Sequence, residues 1–215
     1  MLAAGQVDVN FAESATVGQI GLAWNGTAFR NFSAQVRVSS VMQSADRKFG
    51  APEWLILIAG SFFILVLGLS AAWEADIRWL HFFQAWMYIA TMVLSFRGSR
   101  WGHFIGISAA GLWDYANIVA TSFLSNGLAE LSRWAHTGHL ARPDLLIAIP
   151  AWLSNFLVVL GSCWAYSRRP KKPFSDLAKF LVTFALTTGF FAADMALCQP
   201  RYLAIFPRLL HPRLP

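Results

Sequence analysis

The sequence predicts an all-α fold, a polytopic transmembrane helical bundle with about five spanning helices. Three observations carry that expectation. Hydrophobic residues make up 56% of the chain and charged residues 13%, whereas a soluble domain averages about 25% charged. The apolar residues gather in runs close to the roughly 20 residues that a helix needs to cross the hydrocarbon core. Lys and Arg collect between those runs, where they set membrane orientation.

Residues 1–50 read as a polar N-terminal tail. Asn25-Gly26 is a favourable hairpin turn pair, and Phe32 to Met42 fits a short interfacial helix instead. Asp8 and Glu13 precede any apolar run, which does not fit a signal peptide. Such a polar tail suits contacts with partners in a larger membrane complex.

Residues 51–198 read as the helical bundle. The first span is Leu55 to Trp73, with Pro52 just before it and Trp54 and Trp73 at its two interfaces. The second is Trp79 to Phe96, and the third is Trp101 to Leu124, which holds one charge, Asp114. The fourth is Leu145 to Tyr166, and the fifth runs from about Leu177 to Leu197, between Lys179 and Asp194. Residues 125–144 are expected to form the longest loop. Short connections make neighbouring helices antiparallel.

Orientation follows from the basic residues. Arg47 and Lys48, then Arg97 and Arg100, then Arg168 to Lys172 fall on one side if every segment crosses. That side is the cytoplasm or its organellar equivalent, in a bacterial inner membrane or an organellar membrane. Residues 199–215 are a basic C-terminal tail carrying Arg201, Arg208 and Arg213. Five crossings would put it outside. Four crossings, with a re-entrant or interfacial last segment, would return it inside.

A charge well within a span is costly and reads as functional by default. Asp114 is that residue. Asn117 and Thr121 follow at i+3 and i+7, one face of a continuous helix. At about 1.5 Å rise per residue, Asp114, Asn117, Gln84, Asn155, Thr187 and Thr188 fall within a slab about 10 Å thick. In hydrocarbon these groups need partners, so they are expected to meet inside the bundle. They form the candidate substrate-binding set; helix-to-helix hydrogen bonding is the plainer role.

Other chemistry finds little support. No nucleophile elbow, P-loop or dinucleotide fingerprint is present, and no catalytic residue is assigned. His136 and His139 are two potential ligands in the expected loop, too few to assign a metal. No cofactor is indicated. Cys163 and Cys198 read as apolar thiols in different segments. The aromatics Trp86, Trp113, Trp152 and Phe156 read as packing before ligand lining. Arg168, Arg169, Lys171 and Lys172 suit anionic lipid headgroups. A net charge of +6 comes from loops between apolar runs, which excludes a nucleic-acid-binding face. The leading reading is a small-solute transporter or binding protein built around Asp114. The alternative is a non-catalytic subunit of a larger membrane complex.

Overall fold

The computed structural model describes residues 50–210. The hairpin, interfacial helix and partner contacts expected of the N-terminal tail lie outside those residues. Among the described residues every regular element is helical. Seven α-helices follow in order: α1 Ala51–Trp73, α2 Arg78–Phe96, α3 Arg100–Tyr115, α4 Phe123–Thr137, α5 Ala148–Ser167, α6 Ser175–Cys198 and α7 Ile205–Leu210. Single turns precede α2, α5 and α7, at Ala75–Ile77, Pro143–Ile147 and Pro200–Ala204.

Three stretches are long and apolar enough to cross a membrane: Ala51–Trp73, Pro143–Ser167 and Ser175–Cys198. The first starts at Gly50, whose backbone N–H donates to the Glu53 carboxylate at 3.1 Å. Pro52 sits in the first turn, where its missing N–H costs nothing. The last of the three is the segment whose crossing the basic tail put in question.

α2 is inverted relative to a helix of a soluble protein. It buries Leu80, Gln84, Tyr88, Thr91 and Ser95, spaced by three or four residues along one face. It exposes Trp79, Phe82, Phe83, Trp86, Val93 and Phe96. Its polar residues face protein and its largest apolar residues face outward.

α1, α2, α3 and α5 pack in a ring, each against its two neighbours, and α6 lies against α3 and α2. The apolar core between them includes Phe63, Tyr88, Ala110, Ala151 and Val158. Small residues bring the helices close at the Arg100 end. A Cβ on Gly102 would collide with the Ser95 backbone, and one on Gly106 with the Ser162 hydroxyl and the Thr91 methyl.

A charged node ties that same end together. Asp176 is buried, and Arg100 Nη1 donates to both of its carboxylate oxygens at 3.0 and 2.9 Å. Lys179 and the Tyr166 hydroxyl donate to the same carboxylate at 3.2 and 3.3 Å. Arg100 also reaches the Lys171 carbonyl at 2.9 Å. Arg169 donates to the Gly98 carbonyl at 2.8 Å and to Nε2 of the buried His103 at 3.2 Å. Of the four residues assigned to anionic lipid, Arg168, Lys171 and Lys172 are exposed and Arg169 is turned inward.

The third expected span is the main correction. The helix does not run continuously from Trp101 to Leu124. It passes from α3 into a π-turn, Ala116–Ala120, and stops at Thr121, whose backbone is extended at φ −125° and ψ 127°. Polar side chains replace the main-chain ladder there. The Thr121 N–H reaches back five residues to the Ala116 carbonyl at 3.0 Å. Asn117 Nδ2 donates to the Trp113 carbonyl at 2.8 Å, and the Thr121 hydroxyl donates to Asn117 Oδ1 at 3.2 Å. Such local bonds compete with helix continuation, and π-turns mark its failure. Asp114, Asn117 and Thr121 therefore do not share the face of one regular helix.

The long loop expected at residues 125–144 is also corrected. Most of it is α4, which Gly138 ends at φ 68°, a left-handed conformation suited to glycine. Glu130 on α4 is buried and organises the chain after it. Its carboxylate accepts the backbone N–H groups of Ala141 and Arg142 at 2.6 and 2.8 Å, and Arg133 at 2.7 Å. The Arg142 N–H, first among these, holds the Glu130 carboxyl below its ordinary value of 4.5.

Candidate functional site

The break after α3 opens space at the Trp73 end of the ring. A cavity of about 650 Å³ lies there, within the size range of small-molecule sites. Its walls are mostly apolar and aromatic, with Phe63, Trp113, Phe184 and Phe191 among them. Gln84 and His81 on α2, Asn117 and Thr121 at the helix break, and Thr188 on α6 add polar surface. Glu74, Arg142 and Asp144 supply its charged lining, and Tyr202 and Ile205 of the C-terminal turns also face it.

Three of the six candidate residues thus line one cavity: Gln84, Asn117 and Thr188. Asn155 lies elsewhere. It is fully buried on α5, accepts the Tyr88 hydroxyl through Oδ1, and donates to the Ala151 carbonyl at 3.2 Å. Thr187 is on the buried face of α6. Asp114 is half-buried and sits between the lining residues Trp113 and Tyr115 without being one itself.

Several of these groups have unmet hydrogen-bonding capacity. Gln84 Oε1, Asp114 Oδ1 and Thr187 Oγ1 are buried without a hydrogen-bond partner. Such groups are rare, and each needs an explanation. Some of the donors nearby are already used. The Thr188 hydroxyl donates to the Phe184 carbonyl at 2.8 Å, and Asn117 and Thr121 bond to one another and to the backbone. Arg142 binds Asp144 through Nε at 3.0 Å and Nη2 at 2.6 Å. His81 Nδ1 lies 3.2 Å from the Leu67 carbonyl oxygen, which can only accept. The neutral ring therefore carries its proton on Nδ1 and leaves Nε2 as an acceptor.

The sequence reading missed Tyr88, His81 as a lining group, and the charged trio Glu74, Arg142 and Asp144. Gln84, Tyr88, Thr91 and Ser95 fall at helical spacing, so their common face was detectable. The trio was not, because Glu74 is far from Arg142 in sequence. Of the four aromatics, Trp113 lines the cavity and packs against Phe63, with centroids 5.2 Å apart. Trp152 and Phe156 stack on each other at 5.7 Å, and Trp86 is exposed. His136 and His139 are exposed. Among the described residues no three His, Cys, Asp or Glu side chains converge on a metal position.

No protein-family model, curated protein or solved structure matches this chain.

Proposed function

We propose that this chain is a multi-pass integral membrane protein that binds or moves a small solute through the cavity beside Asp114. The observation that carries the reading is the cavity itself. It lies between helices, is walled by aromatic residues and is bordered by buried oxygens without partners.

The membrane part of the reading has three candidate spans behind it. Five crossings add α2, and α3 together with its π-turn. At 1.5 Å per residue these measure about 28 Å and about 31 Å, close to the roughly 30 Å of a hydrocarbon core. The inverted surface of α2 suits lipid outside and hydrogen-bonding neighbours inside. In this arrangement Arg97, Arg100 and residues 168–172 face the cytoplasm or its organellar equivalent, with the N-terminus on that side. The exposed Arg168, Lys171 and Lys172 then lie at the level of anionic headgroups. The cavity opens toward the opposite side, beneath the C-terminal turns.

Asp114 is the group on which solute handling depends. Asp114→Asn preserves shape and removes the charge. It should abolish solute binding or transport in reconstituted protein while leaving the bundle folded and membrane-inserted. Unchanged activity of that variant in vesicles would contradict the assignment.

A further inference from the structure

The cavity's own chemistry selects among solutes. Its charged lining consists of two acids, Glu74 and Asp144, and one base, Arg142. Arg142 is bound to Asp144 through two nitrogens. Glu74 is therefore the lining charge left over, and Asp114 adds a second carboxylate just behind the wall. In a chain with a net charge of +6 this is a local excess of negative charge.

Hydrogen-bonding capacity points the same way. Asn117, Thr121, Thr188 and Arg142 spend donors within the protein. Gln84 Oε1 is buried, unpartnered and carried by a lining residue of which 4% is exposed. His81 Nε2 is a further acceptor in the neutral ring. A buried acceptor without a partner, as Gln84 Oε1 is, favours a ligand group that donates to it. The aromatic walls accept an apolar body and attract a cation through their ring faces.

Resting on the cavity as the solute site, we propose that its ligand is an amphiphilic cation: an apolar, ring-sized body carrying an ammonium head. The body packs between Phe63, Trp113, Phe184 and Phe191. The head donates to Gln84 and is held by the negative charge of Glu74, and a cation there also favours the ionised form of the half-buried Asp114 carboxylate. Asp114 acts here through its field, which reaches further in a low-dielectric interior than in water.

Three probes of one shape separate the alternatives: 4-phenylbutylamine, 4-phenylbutanol and 4-phenylbutyrate. Binding to the purified full chain in lipid nanodiscs is measured by equilibrium dialysis against empty nanodiscs. The amine should bind at least roughly tenfold more tightly than the carboxylate, a difference of about 1.4 kcal/mol. The alcohol should fall between them. Asp114→Asn should bring amine and alcohol close together. Gln84→Leu should weaken both donors and leave the carboxylate unchanged. Carboxylate binding equal to or tighter than that of the amine overturns the ligand class while leaving the cavity as a site. An unchanged amine preference in both variants also overturns the class. Saturable binding of none of the three overturns the solute site itself.

Discussion

The two ends of the helical ring solve opposite problems with similar residues. At the Arg100 end, the buried charge of Asp176 is paired and the helices touch through glycine. Asp176 has three side-chain donors, and Gly102 leaves no room for a methyl group. At the Trp73 end the third helix fails at Thr121, a cavity opens, and the oxygens of Gln84 and Asp114 stay without partners. Unsatisfied buried polar groups cost stability. A carboxylate oxygen and an amide oxygen left unpartnered at the hollow end imply a use that offsets the cost. One end holds the bundle shut and the other leaves it ready to be filled.

Substitutions at the closed end should therefore damage folding most. Asp176→Ala strands Arg100, Lys179 and the Tyr166 hydroxyl at once. It should give the largest loss of folded protein in this set, read as yield and thermal midpoint in mild detergent. Recovery of a wild-type midpoint would show that the node is ornamental.

Gly102→Ala comes next. Its methyl group meets the Ser95 backbone, which has no flexible end to yield. Overpacking of this kind costs about 1–3 kcal/mol, and the thermal midpoint should fall accordingly. A neutral result would mean that α2 and α3 are further apart than described.

The smallest effect concerns Glu130, which lies on α4 outside the four-helix ring and organises residues 141–142. Its carboxyl is held below 4.5, chiefly by the Arg142 N–H. A carboxyl with a depressed folded value stabilises fully above its unfolded value and loses that contribution as pH falls through the folded one. The stability difference between wild type and Glu130→Gln should thus be constant above pH 4.5 and shrink below it. A difference that stays constant through acid titration would contradict the role.

The two ends also differ in how much of them could be read from sequence. Span-length apolar runs announced α1, α5 and α6, because crossing a bilayer demands length and hydropathy that are visible locally. α4 carries no span-length apolar run, although Leu124, Leu128, Leu131 and Trp134 fall at helical spacing, and what holds Glu130 in place are N–H groups that only folding brings to it. The failure of the third helix was half visible. Asn117 and Thr121 were noticed as polar, but spacing alone could not show that they would bond to the backbone and end the helix. Gln84, Asn117 and Thr188 were singled out by depth, and all three line the cavity. Depth could not show which helices face one another, so Asn155 pairs with Tyr88, and Asp114 lies behind the wall. The Arg100–Asp176 node joins residues 76 positions apart, beyond the reach of any local pattern.

The contrast between the ends reduces to two positions on one face of α2. Gln84 lines the cavity, and Thr91, two turns on, is buried between packed helices. Single cysteines at these positions, with Cys163 and Cys198 replaced by serine, can be exposed to a membrane-impermeant cationic methanethiosulfonate in reconstituted vesicles. Gln84→Cys should react readily from the side facing the cavity, and an amphiphilic amine should slow that reaction, while Thr91→Cys stays unmodified. Equal labelling of the two, or no labelling at Gln84→Cys, would contradict an open end opposite a closed one.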